Sequence, residues 1–535
     1  MFVPWIFGDE YLYLSKARNI QRGIDVLADV SQGHTYPPLY SYLLSLVMGT
    51  DPLISYQHAQ WLNVGVSQLL IILALLMLNR VFRWTDSKKG WVYLLLLYLA
   101  VATSTMITGF YFVAMSENLY TPLVVLIFSL VVYISKSTKL LTKQTWLLVG
   151  TVGILCGLAV LTRTIGYVLL PSVMASLLFV GMPNKIQHKY KILIALAVGL
   201  IAIGAIQTFN LWEASQVVRT ELQQTHYEEL SSGYMGVFQA FLTGTGNWFM
   251  ALKILGNHLT YLLFASFFFP LLFLMNDVVK MLKTKKIDAM TVFVSLFGLG
   301  SLAFSFLHCY FGFQTEPIKY STYFRYFDQT ILIFILYGLI RLWQWLQNKE
   351  KFNKLAVLLF AVVSLVGLVF LPPRDFYMTL NAFGWAWLDL FINNQWMIRV
   401  VGFALIVLSS MLVWKKQLYP LLLVVIIGFQ VASIPTISKM HEWLSHDFKA
   451  LVEPVRRVAV DQGITNWYIT SDYQEKGMLG DLYFIKYLLL FYGNEFEPVK
   501  VVDQKQSESI THSTFVKIDQ NQLGDIVILK NSIDN

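Results

Sequence analysis

Charge is scarce in this sequence. Only 13% of its 535 residues are Asp, Glu, Lys or Arg, while 56% are apolar. A soluble chain of that length needs far more polar surface to cover itself. Cysteine is scarcer still. Cys156 and Cys309 both sit inside apolar stretches, so a disulfide framework is not indicated. There is no internal repeat, no Gly-rich phosphate loop and no cluster of metal-type cysteines. The opening residues, MFVPWIFGDE, carry neither a basic region nor the apolar run of a cleavable signal peptide.

What is present is a series of apolar blocks of about 17–25 residues, the length that spans roughly 30 Å of hydrocarbon. They begin near Tyr56, Trp91, Glu117, Trp146, Thr164, Ile192, His258, Met290, Phe327, Leu355, Met397 and Leu418. The expected fold class is therefore an all-α polytopic membrane protein with about 12 transmembrane helices over residues 1–435. The first outer loop covers 8–55, and other long loops cover 213–257, 311–326 and 373–396. Residues 436–535 lack a spanning block and read as a small α/β domain. Its helices fall at 440–462 and 482–493, and its strands at 467–470, 515–518 and 525–530. The stub Met1–Phe7 is apolar but too short to span. It reads as the outer end of a helix whose beginning is missing, which would make 13 helices.

Charge placement sets the orientation. The loops at 80–90, 136–145, 182–191, 276–289, 341–354 and 415–416 hold 20 of the 40 basic residues and four acids. These loops are expected to be cytoplasmic, with the long loops and the tail outside. The net charge of +8 is thus mostly a topology signal, and nucleic acid is excluded as a partner.

Several polar residues fall in the outer set. Asp9 and Glu10 follow the apolar stub. Paired acids at a membrane surface can divide labour, one taking a proton from an acceptor hydroxyl and the other holding a divalent cation. They also suit a helix start, through the macrodipole. Glu117 stands at the outer end of a span, where an unpaired carboxylate is costly; the alternative is an exposed first-turn Glu. Arg163 lies in an almost loop-free turn and either snorkels or contacts a lipid phosphate. Lys319, Arg325 and Tyr326 precede the span at 327–345. His308 reads as a packing residue, and Gly153-x-x-x-Gly157 as a helix-packing face.

The acidic pair, the helix after it and the element His34-Thr35-Tyr36-Pro37-Pro38-Leu39-Tyr40 resemble the first outer loop of GT-C glycosyltransferases. Protein O-mannosyltransferases and the aminoarabinose transferases of lipid A are nearest in pattern. The resemblance is motif-sharp over residues 8–45 and extends in layout over roughly 1–345. It implies Asp9 and Glu10 as the catalytic pair, with Asp9 as base, and Glu117 as a second acid that binds metal or acceptor. It implies Arg163, Lys319, Arg325 and Tyr326 around the donor phosphate, and His34, Tyr36, Pro37 and Pro38 as the first-loop motif. The implied partners are a polyprenyl-phosphate-linked sugar donor, an acceptor of unknown kind (a cell-surface glycan, lipid or protein) and membrane lipid. A divalent cation, Mg²⁺ or Mn²⁺, is expected at Glu10 and Glu117. The expected location is a bacterial plasma membrane, with the active site and the tail extracytoplasmic. A lipid-linked glycan transporter or flippase stands as the alternative, with an inactive GT-C-like structural subunit as a third reading.

Overall fold

A computed structural model describes residues 8–22, 37–49, 52–136, 142–179, 186–216, 235–241, 243–244, 246–285, 287–313, 323–348, 351–371, 382–391, 394–447, 468–470, 500–502, 515–518 and 526–529. The chain begins with α1 (Gly8–Arg22), α2 (Leu39–Ser45), α3 (Pro52–Phe82), α4 (Lys88–Ala102) and the short α5 (Thr105–Thr108). There follow α6 (Glu117–Lys136), α7 (Lys143–Thr162), α8 (Gly166–Leu178) and α9 (Ile186–Gln216). The bundle closes with α10 (Trp248–Ala265), α11 (Phe269–Thr284), α12 (Ala289–Phe313), α13 (Asp328–Gln347), α14 (Lys354–Val369), α15 (Gln395–Leu412) and α16 (Tyr419–Asp447).

Each apolar block falls on a helix, and side-chain caps mark several starts. Ser87, Thr142, Asn247, Asn353 and Asn394 each accept a backbone N–H of the first turn. Seven helices are long and apolar enough to cross a membrane, or up to ten if three bent pairs each count as one span. The expected count of about 12 is reached only if the shorter apolar helices are added to these ten. α8 and α14 are shorter apolar helices. The block expected near His258 is the pair α10–α11, which meets at 108°. Phe267 and Phe268 form the corner with φ of 58° and 65°, a region strained for bulky residues. Both rings are buried, and Phe267 stacks on Trp387 at 5.5 Å, so packing holds the bend.

Burial sorts the helices into shells. α6 and α13 are almost wholly enclosed, whereas α3 turns Trp61 and Leu69 outward, as a lipid-facing helix does. Gly153 and Gly157 let α7 lie against α9: a Cβ on Gly157 would come within 2.9 Å of Ala205 Cβ and 3.0 Å of Ala202 O. Part of the expected loop at 373–396 is interior. Residues Phe383–Phe391 form a 3₁₀ segment whose Trp385 and Trp387 are fully buried.

α16 runs to Asp447 through Pro435, so the helix expected at 440–462 begins as the end of a spanning helix, and the boundary placed at 435 falls within it. In the tail, β1 (Tyr468–Thr470) pairs in parallel with β2 (Lys500–Val502), and β3 (Phe515–Ile518) pairs antiparallel with β4 (Ile526–Leu529). The helix expected at 482–493 lies outside the described residues.

The bundle places the two loop sets at opposite ends. α6 carries Glu117 at its start and Lys136 at its finish, and α13 begins three residues after Arg325 and carries Arg341 in its last two turns. The basic loops meet at one end: Arg341 pairs with Asp277 and Asp288 (2.6 Å each), and Lys136 lies 3.4 Å from Asp288. Burial alone would raise the pKa of Asp288, which sits just before α12. Arg341, then Lys136 and Thr291, pull it below the ordinary carboxylate range.

Candidate functional site

The other end gathers the residues singled out in the sequence. Glu117 opens α6 and is 1% exposed. Its carboxylate forms ion pairs with both Arg163 and Arg325, which are themselves buried. Arg163 is delivered by the turn between α7 and α8, where its N–H returns to Ala159 O at 3.0 Å and its carbonyl accepts from Gly166 N at 2.9 Å. Arg325 is delivered by the approach to α13. The Arg163 guanidinium lies 5.0 Å from the Tyr326 ring centroid, and Arg325 Nη2 lies 3.8 Å from Met115 Sδ.

Arg163 therefore does not snorkel, and Glu117 is not an exposed first-turn residue. Two guanidiniums present about ten N–H donors and one carboxylate about four acceptor sites, so Glu117 alone cannot take them all. The geometry fixes two planar cations around one carboxylate. Asp328, buried at the start of α13, lies within electrostatic reach of all three groups but accepts its hydrogen bond from the Tyr261 hydroxyl. That hydroxyl in turn accepts from Gly384 N at 2.9 Å.

Helix α1 joins this cluster through two side chains three residues apart, hence on one helix face. Glu10 is fully buried, and its Oε1 accepts from the Tyr56 hydroxyl (2.5 Å) and Ala114 N (2.6 Å). The Tyr13 hydroxyl donates to Ser116 Oγ at 2.9 Å, and Ser116 Oγ lies 3.4 Å from Glu117 Oε2. The strip 112–118 is irregular at 113–116, between a 3₁₀ turn that ends at Phe112 and the start of α6. Its carbonyls are satisfied by α3: Gln60 Nε2 reaches Phe112 O at 3.0 Å, Asn63 Nδ2 reaches Val113 O at 3.1 Å, and Ser67 Oγ reaches Asn118 O at 2.7 Å.

The first-loop motif supports α1 from the other side. Pro38 caps α2 as its last non-helical residue. Tyr40 hydrogen-bonds Asn63 Oδ1 at 2.7 Å and meets the Tyr13 ring edge-on at 5.3 Å. Pro37 is described next to it, half-buried. His34, Tyr36, Lys319 and the side chain of Asp9 lie outside the described residues. His308 lies against the rings of Tyr323 (4.9 Å) and Tyr326 (4.8 Å).

The structure thus brings together Glu10, Glu117, Arg163, Arg325 and Tyr326. Sequence reading missed Tyr13, Tyr56, Ser116 and Asp328. Tyr13 shares a helix face with Glu10, and Asp328 stands three residues beyond Arg325 at the head of an apolar run, so both had a local signal. The surroundings of Glu117 oppose the expected Mg²⁺ or Mn²⁺ there. Two guanidiniums occupy the Glu117 carboxylate, and their charge opposes a cation. Among the described residues, no three His, Cys, Asp or Glu side chains converge to hold a metal ion.

No family model and no curated protein matches the chain. Solved structures do resemble it. ArnT from Cupriavidus metallidurans bound to undecaprenyl phosphate superposes with a TM-score of 0.51 at 12% identity, over 99% of this chain and 94% of that one. The apo form of the same protein gives 0.47 at 12% identity with the same coverage. An Archaeoglobus fulgidus oligosaccharyltransferase tethered to an acceptor peptide gives 0.35 at 13% identity, over 71% of this chain and 52% of that one. At such identities the first likeness speaks for the fold alone: this integral membrane chain has the fold of ArnT, a GT-C protein.

Proposed function

We propose that this protein is a glycosyltransferase that moves a sugar from a polyprenyl-phosphate carrier to an acceptor on the outer face of the membrane. The observation that carries the reading is the pairing of Arg163 and Arg325 around Glu117, beside the helix that bears Asp9 and Glu10. The fold shared with an ArnT structure that holds undecaprenyl phosphate supports it.

The chemical problem is to break the bond between an anomeric carbon and a phosphate oxygen. The leaving group is anionic, so it departs more readily into fixed positive charge than into apolar surroundings. Arg163 and Arg325 supply that charge, Glu117 keeps both guanidiniums in place, and Tyr326 supports the face of one. Lys319 is assigned to the same phosphate from the approach to α13. The acceptor oxygen attacks the anomeric carbon as its proton passes to a carboxylate, assigned to Asp9, and the carbon–phosphate oxygen bond breaks with inversion. No step is assigned to a metal.

The cluster lies at one end of α6 and α13, away from the middle of the bundle. A transporter needs its ionisable groups near the midplane on broken helices, so the placement favours surface chemistry. The test is a donor panel on purified protein. Lipid-phosphate sugar should be consumed and nucleotide sugars ignored. Turnover of a nucleotide sugar without lipid carrier would sink the idea.

A further inference from the structure

The end of the bundle opposite the candidate site holds a polar cleft of about 220 Å³. It lies between the last turns of α11 and α13 and the segment leading into α14. Lys280, Lys351 and Arg341 line it with Asn276, Gln344 and Trp345. Nothing in the proposed transfer reaction uses these residues.

The cleft is rich in donors. Asn276 Oδ1 already accepts Asn353 N at 3.0 Å, and Gln344 Oε1 accepts Arg341 Nη1 at 2.8 Å. Both amide oxygens are therefore already engaged. Arg341 is held by Asp277 and Asp288 and braced under Tyr337, whose ring centroid lies 5.3 Å away. A helix C-terminus normally repels anions, because its last carbonyls are unpaired. Here Lys416 Nζ caps Trp345 O (2.7 Å) and Asn348 O (2.5 Å) and lies 4.6 Å from the Trp345 ring centroid. Of the charged side chains that line the cleft, three are basic, Lys280, Arg341 and Lys351, and one is acidic, Asp277.

We infer that this cleft binds a phosphate group, carried by the headgroup of an anionic phospholipid or free in the aqueous phase. Basic pockets between spanning helices at a membrane surface suit such headgroups. The apolar wall, where the Phe352 ring lies 5.3 Å from Phe273 and 5.5 Å from Trp345, suits the glycerol end of a lipid. The inference is independent of the transfer reaction and of which side of the membrane this end faces.

The test uses full-length protein in phosphatidylcholine nanodiscs with and without phosphatidylglycerol, and in detergent with inorganic phosphate. Bound lipid is read by native mass spectrometry and phosphate by phosphorus NMR. The variant Lys280→Gln with Lys351→Gln removes one half-buried and one exposed lysine from the cleft. The pair Lys88→Gln with Lys89→Gln removes the same charge from exposed positions outside it. The cleft variant should lose phosphatidylglycerol roughly tenfold or more, and the control pair should not. Loss of phosphatidylglycerol alone identifies the headgroup. A parallel loss of inorganic phosphate binding identifies the phosphate itself as sufficient. Unchanged binding in the cleft variant, or equal loss in the control pair, overturns the inference.

Discussion

Replacing Glu117 with Gln should destabilise the protein more than replacing either arginine it holds. Glu117, Arg163 and Arg325 are 1%, 5% and 4% exposed at the side chain, so solvent screens them little. Gln keeps the volume and one acceptor but removes the charge, which leaves two buried cations with Asp328 within electrostatic reach. Stripping the counter-charge from a buried pair costs about 3–5 kcal/mol. Arg163→Gln or Arg325→Gln instead leaves a one-to-one pair. It forfeits mainly hydrogen bonds to a charged group, about 1.5–3 kcal/mol. The same reasoning predicts partial rescue: Arg163→Gln added to Glu117→Gln removes one uncompensated cation and should recover stability. Cys156 and Cys309 are buried, so a thiol-reactive dye followed during heating reports unfolding without added probes. The reasoning fails if the arginine variants are as unstable as Glu117→Gln, or if the double variant is simply the sum of its parts.

Two further outcomes follow from the same geometry. A cysteine placed at Lys285, exposed at the end of α11, should resist an impermeant thiol reagent in intact cells; labelling there would reverse the proposed orientation. His441 lies just past the spanning part of α16, with Nε2 at 3.2 Å from Gly109 O, and burial pushes its pKa down to about 4. Its unfolded value is near 6.5, so the folded state binds the proton less well. Stability is complete above that value, falls as pH drops toward 4 and changes no further below, by at most about 3 kcal/mol. Thermal scans across that range should show the slope in the parent and not in His441→Gln, which retains a donor for Gly109.

The helices were legible because lipid demands long apolar runs, and every block beginning from Tyr56 to Leu418 lies on one. Strands β3 and β4 were legible from their apolar runs, whereas three-residue β2 is too short to show a period. The 108° corner at Phe267–Phe268 was signalled only by Pro270 in the first turn of α11, which marks a helix start but not the angle; packing against Trp387 holds the bend. The burial of Trp385 and Trp387 was not legible, since a short aromatic segment between Asn381 and Asn393 reads equally well as an interfacial loop. The site residues Glu117, Arg163 and Arg325 stood out because charge beside an apolar run is rare. Their mutual pairing, between residues 46 to 208 positions apart, was beyond any local pattern.

The two acids of the first loop now carry different expectations. A general base must come within hydrogen-bond reach of the proton it takes. Glu10 is fully buried, and its Oε1 is already engaged by Tyr56 and by the backbone of Ala114. Together with Tyr13 on Ser116, it fastens α1 to the strip that carries Glu117. Glu10 is therefore assigned as the anchor of α1, and proton transfer is left to its neighbour Asp9. Glu10→Gln retains one acceptor oxygen for Ala114 or Tyr56, so α1 should stay seated with a loss near one charged hydrogen bond, about 1.5–3 kcal/mol in stability. Asp9→Asn should leave stability nearly unchanged and lower transfer by about 10²–10⁴, because an amide cannot accept a proton at neutral pH. Measuring unfolding and transfer on both variants separates the roles. If Glu10→Gln loses transfer at full stability while Asp9→Asn keeps it, the assignments must be exchanged.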